Sequence, residues 1–200
     1  DLFSHIGVAR ELVALGLAKW KKRKEVTVKF PAAKASVTVH DETKGMVPFY
    51  RACLIEIDDA GVTPDWMKQR LEATGFRSIS LPIDITNYVM LELGQPTHAY
   101  DLDKIKGGLT VRRAKAGETL KTLDGQERKL DLEDLLITDE SGPIGLAGVM
   151  GGESTEVSET TVNVLVEAAH FEPISIARSA RRHKLPSEAS KRFERGVDPK

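Results

Sequence analysis

The sequence predicts a single layered α+β domain, with mixed and antiparallel sheets packed against helices. Helical patterns open and close the chain, over 1–16 and from Pro173 onward. Strand-like segments are concentrated over 108–166, and the Asp124-Gly125 pair among them is a strong hairpin signal. Grouped strands followed by helices are typical of an α+β domain.

The first 48 residues are expected to form a peripheral layer, 1–48, that leads into a core of residues 49–200. Segment 1–16 is predicted to be helical because its apolar residues lie near helical spacing. These residues are Ile6, Val8, Leu12, Val13 and Leu17. A charge run follows, and the alternating segments 26–30 and 35–40 then suggest two strands.

The next part of the chain predicts a strand and two helices. Segment 50–57 is largely apolar and is expected to be a buried strand. Pro64 is placed to open a helix, and Gly75 is placed to end it. A second, short helix is expected over 84–93, with Gly94 as its C-terminal stop.

The second half predicts several strands and then two helices. The expected strands are 109–113, 135–138, 144–150 and 162–166. The first closing helix, 173–184, begins with proline at a first-turn position. The second, 187–195, has Ser187 as a candidate N-cap and Gly196 as a terminator.

Composition excludes some classes of partner. Lys and Arg number 29 against 30 Asp and Glu, so no overall positive field attracts a polyanion, and any nucleic-acid contact must be local. The single Cys53 cannot form an internal disulfide, which favours a reducing, cytoplasmic location. No apolar run could span a bilayer, so no membrane partner is expected. Because Asp1 already lies in a helical pattern, we expect a fragment of a longer protein.

Common catalytic motifs are not found. No two of the five histidines have i, i+4 spacing, and one cysteine cannot complete a structural zinc site, so no metal site is predicted. The sequence has no G-x-S-x-G elbow, so no serine nucleophile is predicted. A glycine-rich turn lacks the spacing of a nucleotide loop and indicates either a tight turn or a close ligand approach. Its glycines are Gly145, Gly148, Gly151 and Gly152.

Basic residues cluster in the two closing helices. They are Arg178, Arg181, Arg182, Lys184, Lys191, Arg192 and Arg195. This face could contact phosphates, or it could be a solvated face whose cations pair with Glu188 and Glu194.

Four blocks of sequence resemble one known family. Segment 83–101 reads IDITNYVMLELGQPTHAYD and is similar to the signature of bacterial phenylalanyl-tRNA synthetase β subunits. Blocks similar to 146–153, 164–167 and 187–199 follow in the order found in that family. The resemblance covers essentially the whole chain and is strongest over 66–199.

The resemblance implies an α+β editing domain that receives the 3′ end of tRNA(Phe) and hydrolyses wrongly attached tyrosine. It implies no cofactor in this domain, because ATP and Mg²⁺ serve the parent enzyme through its α subunit. The implied partners are tRNA(Phe) and the α subunit of an α2β2 heterotetramer. The alternative is a non-catalytic tRNA-docking or structural module whose pocket is vestigial.

Two residues are implied to recognise the amino acid. Glu167 matches the family's acceptor for the tyrosine hydroxyl, and the backbone at Gly151 matches the pocket wall beside the ring. A hydrophobic synthetic pocket rejects an added hydroxyl by only about 10², so a second site must bind that hydroxyl. Without the resemblance, Glu167 would equally suit a helix start or a salt bridge.

Three further residues are implied to surround the scissile ester and the terminal ribose. They are His98, Thr86 and Asn87, with His98 orienting or deprotonating the water. From their own positions, His98 would suit a loop cap, and Thr86 and Asn87 would suit hydrogen bonds at a helix start.

Ser187 and Ala189 match family positions that line the pocket. Serine stands where threonine is common in the family, so the hydroxyl is kept and a methyl group is lost. Thr97 and Tyr100 replace the apolar residues expected beside His98.

Overall fold

The computed structural model describes residues 2–21, 27–28, 37–57 and 61–197. The helices within these ranges are α1 His5–Ala14, α2 Asp65–Ala73, α3 Leu81–Leu93, α4 Pro173–Arg182 and α5 Glu188–Phe193. The first five strands are β1 Val39–Asp41, β2 Phe49–Glu56, β3 Thr97–Asp101, β4 Leu109–Arg113 and β5 Thr119–Lys121. The others are β6 Glu127–Lys129, β7 Leu135–Asp139, β8 Gly142–Leu146, β9 Met150–Gly151 and β10 Asn163–His170.

The strands form three sheets. A five-stranded sheet has the order β1-β4-β7-β8-β9, in which β1 and β4 are parallel and the other neighbours are antiparallel. A three-stranded antiparallel sheet has the order β2-β10-β3, and β5 pairs with β6 as a hairpin. The mixed and antiparallel sheets packed with helices confirm the α+β prediction.

The main hydrophobic core joins both larger sheets to the closing helices. The five-stranded sheet contributes Leu136 and Ile144, among others, to this core. The three-stranded sheet contributes Tyr100 and Leu165. Phe193 of α5 packs into the same cluster, with its ring centroid 5.2 Å from that of Phe171. The closing helices are therefore part of the same packed unit as the strands. Their basic residues can face outward only where this packing leaves them exposed.

Helix signals in the sequence located most helix ends. Helix α2 follows Pro64 directly, and Gly94 ends α3 with the left-handed φ of 82° that glycine tolerates. Helix α3 begins at Leu81, three residues earlier than predicted, after Ser80 in an extended conformation. Glu172 caps α4 by accepting hydrogen bonds from two backbone N–H groups.

Segment 50–57 was predicted to be a buried strand. A strand is present there, but it is not buried. Strand β2 lies at the edge of its sheet, and Phe49, Leu54 and Ile55 are 44–49% exposed. An apolar run marks a segment that can be covered on both faces, but it does not specify what covers it. Within the described residues, only one face of β2 packs against the main core.

One further strand prediction was wrong, and three strands were not predicted. Segment 144–150 is not one strand, because a turn at 147–149 separates β8 from β9. Strand β3 was not predicted, since 97–101 was interpreted as a loop after a proline. The Asp124-Gly125 turn was correct, but its flanking strands β5 and β6 are short and polar and were missed.

Part of the N-terminal prediction lies outside the described residues. Of segment 26–30, only 27–28 are described, and they form neither helix nor strand. Segment 35–40 overlaps β1, which is the first strand of the five-stranded sheet. Along the described ranges, every helix falls short of the length and apolar character that crossing a membrane requires.

Candidate functional site

Glu167 lies in the middle of the central strand of the three-stranded sheet. In β10 it is directly opposite Ala52 of β2 and His98 of β3. Residues directly opposite each other in an antiparallel pair point to the same face, so Glu167 and His98 share one side of the sheet. Glu167 is only 6% exposed. The carboxylate predicted to bind a phenol is therefore buried beside the predicted catalytic histidine.

Two tyrosine hydroxyl groups already bind this carboxylate. Tyr50 on β2 donates to Oε2 of Glu167 over 2.8 Å, and Tyr100 on β3 donates to the same atom over 2.5 Å. Hydrogen bonds to an ionised acceptor are stronger than neutral ones and offset part of the cost of burying a charge. The carboxylate of this site thus already accepts hydrogen bonds from two phenol groups of the protein.

Burial and the tyrosines act oppositely on the carboxyl group. Burial raises the pKa of Glu167, while hydrogen bonds from Tyr100 and Tyr50 lower it part of the way back. The pKa of each tyrosine is raised, first by burial and then by the charge on Glu167. The phenols therefore keep their protons and act as donors to the carboxylate.

His98 presents an unpaired nitrogen at the site. Its ring packs edge-on against Tyr100, with centroids 4.3 Å apart. Nε2 of His98 is buried and has no hydrogen-bond partner among the described residues. Burial lowers the pKa of His98 to about 4, so the imidazole is neutral at physiological pH. Nε2 is a neutral acceptor that is closed to water in this arrangement, so it can bind a water only if the ring shifts toward the cavity.

Gly151 leaves room for the imidazole. A Cβ atom at Gly151 would lie 2.3 Å from Cε1 and 2.6 Å from Nε2 of His98. Only a residue without a side chain allows this approach. The glycine-rich turn is therefore a place where the backbone closely meets the side chain of His98, and close approach of a ligand there stays a prediction.

One cavity joins several of the predicted site residues. It has a volume of about 80 Å³. Four predicted residues line it, namely His98, Gly151, Glu167 and Ala189. Apolar walls come from Ile137, Leu146, Val149, Phe171 and Phe193. Apolar walls around a few converging polar groups are typical of a small-molecule binding site.

Ser187 supports this cavity through the backbone. Its hydroxyl donates to the carbonyl of Val149 over 2.7 Å and accepts from the N–H of Ser190 over 3.0 Å. The second bond caps α5, as predicted from the sequence. Because Val149 lines the cavity, Ser187 links the start of α5, where Ala189 lies, to the cavity wall.

Thr86 and Asn87 lie in a neighbouring cavity. Both residues line a pocket at the β3 edge, and His98 also lines this second pocket. The Thr86 hydroxyl donates to the carbonyl of Ile83 over 2.7 Å, within its own helix. The structure therefore does not place all predicted residues in one cavity. His98 is the predicted site residue that lines both cavities, and its neighbour Thr97 also lines both.

The basic residues of the closing helices are largely paired. Arg182 contacts Asp131, Glu133 and Asp134, and Arg192 contacts Glu188. Lys191 also pairs with Glu188, Arg195 with Glu194, and Arg178 lies 4.0 Å from Glu133. Five of the seven cations thus have acidic partners, which favours the solvated, paired interpretation of this face.

The tyrosine partners of Glu167 were not identified from the sequence. Tyr50 lies 117 positions before Glu167 and Tyr100 lies 67 positions before it, so no local pattern connects them. One signal existed at Tyr100, where a hydroxyl replaces the apolar residue expected beside the His98-Ala99 pair. Within the described ranges, no group of three or more His, Cys, Asp or Glu side chains could hold a metal ion.

Comparison with known proteins identifies the family. The family model described as the B3/4 domain matches residues 46–200. The phenylalanine--tRNA ligase beta subunit of Leifsonia xyli subsp. xyli is 58% identical over 205 residues, which is 99% of this chain and 24% of that protein. The corresponding protein of Streptomyces avermitilis is 55% identical over 197 residues, which is 96% of this chain and 24% of that protein.

A solved structure has a similar fold. The crystal structure of an N-terminal fragment of the phenylalanyl-tRNA synthetase beta-subunit from Pyrococcus horikoshii matches 90% of this chain and 57% of that chain. The TM-score is 0.51 and the sequence identity is 20%, so this likeness supports the fold alone. The chain spans about a quarter of the length of the curated relatives it matches.

Proposed function

The chain belongs to the B3/4 domain family, in the form carried by phenylalanine--tRNA ligase beta subunits, and from that membership we propose that it is an editing domain. In this proposal the domain hydrolyses the ester of Tyr-tRNA(Phe) that the synthetase has made in error. The observation that carries the proposal is the buried carboxylate of Glu167, which faces the same cavity as His98.

Glu167 supplies the discrimination between tyrosine and phenylalanine. The tyrosine hydroxyl donates a charge-assisted hydrogen bond to the carboxylate, and the phenylalanine ring cannot. Phenylalanine in the cavity would shield the carboxylate from water without replacing the lost bond, at a cost of about 1–3 kcal/mol. A site that binds a substrate hydroxyl rejects the analogue lacking it far better than an apolar pocket rejects an added hydroxyl.

His98 positions the water that attacks the ester. An aminoacyl ester is already activated, so holding the water near the carbonyl carbon accounts for much of the rate. In this mechanism the imidazole shifts so that its unpaired Nε2 accepts a hydrogen bond from this water and takes up its proton as the bond to carbon forms, and the proton then passes to the ribose oxygen as the ester C–O bond breaks. Thr86 and Asn87, in the neighbouring cavity, bind the terminal ribose on the other side of His98.

The Gly151 backbone and the start of α5 shape the amino-acid pocket. Gly151 carries no side chain, so the imidazole of His98 can lie against its backbone and both residues form part of the cavity wall. Ala189 forms another part of the wall, and Ser187 fixes the position of α5. These residues set the size of the pocket, while Glu167 sets its preference for a hydroxyl.

The hydrolysis proposed here uses no cofactor in this domain. ATP and Mg²⁺ belong to the aminoacylation reaction of the parent enzyme, in which we propose that the α subunit of an α2β2 assembly is the partner. The 3′ end of tRNA(Phe) is the proposed substrate-bearing partner. A cytoplasmic location follows from this place in translation.

The test is the deacylation of Tyr-tRNA(Phe) by the full enzyme of α and β subunits. We expect Glu167→Gln and His98→Ala each to reduce kcat/KM for deacylation by at least about 100-fold. Glu159→Gln and His40→Ala, at exposed positions, are the matched controls. Unchanged deacylation in both site variants would reject editing by this pocket and favour the alternative of a docking or structural module.

A further inference from the structure

The two tyrosines hold Glu167 by a single oxygen. Both hydroxyls donate to Oε2, at 2.8 Å from Tyr50 and 2.5 Å from Tyr100. They approach from β2 and β3, one on each side of β10, so the carboxylate is fixed from both flanks. An ionised carboxylate has about two acceptor sites on each oxygen, so two phenols occupy Oε2 fully.

The other oxygen of Glu167 is unoccupied by these donors. No residue in the described ranges donates a hydrogen bond to Oε1. A buried polar atom without a partner would belong with the three such side-chain atoms of these ranges, which are His98 Nε2, Thr155 Oγ1 and His170 Nδ1. Oε1 is not among them, so it is accessible to solvent. Glu167 lines the cavity, and because the tyrosines occupy Oε2 we infer that Oε1 is the oxygen available to a ligand there.

We propose that Tyr50 and Tyr100 are positioning residues that clamp Oε2 of Glu167 and thereby present Oε1 to the para-hydroxyl group of the amino acid in the cavity. This inference rests on the proposed function, because it concerns the selectivity of the same pocket. The tyrosines act through Glu167 and do not contact the scissile ester. Their effect is therefore confined to substrates that carry a phenol.

The protonation of the cluster agrees with the clamp. The titratable groups that face Glu167 are Tyr50 from β2 and His98 and Tyr100 from β3. The raised pKa values of both tyrosines keep their protons in place, so each hydroxyl donates and the carboxylate accepts. Hydrogen bonds from Tyr100 and Tyr50 oppose the effect of burial on the pKa of Glu167 and favour its charged form.

The same contacts could have an opposite effect on selectivity. If the substrate phenol needed Oε2, the two tyrosines would compete with it, and removal of a hydroxyl would improve tyrosine recognition. The clamp requires the reverse, because a carboxylate that has lost a donor is less well oriented and more easily protonated. The sign of the effect therefore distinguishes the two explanations.

The experiment compares Tyr100→Phe and Tyr50→Phe in the full α and β enzyme. Both changes keep the ring and remove the hydroxyl. Tyr88→Phe is the matched control, because Tyr88 is the third of the three tyrosines and its hydroxyl accepts from Arg70 elsewhere. The measured quantities are kcat and KM for deacylation of Tyr-tRNA(Phe), the deacylation rate of Phe-tRNA(Phe), and the aminoacylation rate, which reports an intact synthetic site. The midpoint of thermal unfolding reports whether each variant folds.

We expect kcat/KM for the tyrosyl ester to fall about tenfold in each variant, with phenylalanyl deacylation and aminoacylation unchanged. The acid limb of tyrosyl deacylation should also move to higher pH in Tyr100→Phe, and this movement should disappear when Glu167→Gln is added. Unchanged or improved selectivity for tyrosine in the variants overturns the clamp.

The outcomes separate this inference from the function on which it rests. If Glu167→Gln and His98→Ala both leave tyrosyl deacylation intact, the proposed editing function fails. If Glu167→Gln reduces it while both tyrosine variants match Tyr88→Phe, only the clamp fails. Tyr50 is half-buried, so Tyr50→Phe decides the question even if Tyr100→Phe does not fold.

Discussion

Gly151 and His98 fit together so closely that a Cβ atom on the glycine would lie 2.3 Å from Cε1 of the imidazole. This approach joins β9 of the five-stranded sheet to β3 of the three-stranded sheet. The position of the imidazole thus depends on contact between the two sheets, and any side chain at Gly151 has to displace it.

Gly151→Ala should therefore reduce editing by moving His98. A shift of about 1 Å in a catalytic group can lower a rate by about 100-fold, and we expect a loss of that order in Tyr-tRNA(Phe) deacylation. Gly75→Ala is the control, since a Cβ there meets nothing within 4 Å, although its φ of +86° adds strain. Equal activity of the two variants would show that the close approach has no part in hydrolysis.

The buried His98 should make the domain sensitive to acid. Burial lowers the pKa of His98 from 6.5 to about 4, so the unfolded chain binds a proton between these values that the folded chain excludes. Stability is then lost as pH falls from about 6.5 toward 4, by up to about 3 kcal/mol. We expect His98→Asn to lose less stability than the wild type over this range in urea unfolding, whereas His40→Asn should follow the wild type.

Asp134 should stabilise the attachment of α4 to the strands. Its side chain is fully buried and accepts hydrogen bonds from Ser179, Arg182 and His183 at 2.5–2.7 Å. Asp134→Asn leaves Arg182 with a weaker partner, and we expect the free energy of unfolding to fall by about 3 kcal/mol. The control is Glu133→Gln, an exposed neighbour whose replacement should change stability by less than about 0.5 kcal/mol.

The stability lost in Asp134→Asn should depend on pH, because it comes from the charged form of the Asp134 carboxylate. Burial alone would raise the pKa of Asp134, but hydrogen bonds from His183, from the Asp131 N–H and from Ser179 offset it and lower the pKa to about 2. Its contribution is present above the ordinary value of 3.8 and is lost as pH falls toward 2. The stability difference between wild type and Asp134→Asn should therefore be constant near neutral pH and shrink below about pH 4.

Ser187→Ala should destabilise the start of α5. It removes the cap on the Ser190 N–H and the hydrogen bond to the Val149 carbonyl, which together predict a loss of about 1–2 kcal/mol in thermal unfolding. Ser187→Thr keeps the hydroxyl and should retain nearly all of this stability. A threonine variant as unstable as the alanine variant would show that the hydroxyl bonds are not the source of the effect.

Elements with local signals were predictable from the sequence. Proline and glycine located the start of α2 and the ends of α2 and α3, because backbone geometry at those residues depends little on distant contacts. The fold class followed from the grouping of strands and helices. The edge position of β2 and the existence of β3 depend on pairing with β10, which no local pattern reports.

The candidate site, like the fold, was only partly predictable from the sequence. Glu167, His98 and Gly151 were predicted through their resemblance to family motifs, and the structure places all three at one cavity. Their individual roles remain predictions. The two hydroxyls on Glu167 were not predicted, since Tyr50 in an apolar strand pattern suits a core position equally well and Tyr100 lies in a segment that was interpreted as a loop. Only the register of three strands brings these groups together.

Strand β10 sits between β2 and β3, which precede it along the chain. Both neighbours therefore leave the ribosome before the strand that joins them, and Glu167 is the last of the three hydrogen-bonded residues to be synthesised. A nascent chain that stops short of β10 holds the tyrosines and the imidazole without their carboxylate. The proposed recognition of tyrosine therefore becomes possible only once the middle strand has been inserted between its two neighbours.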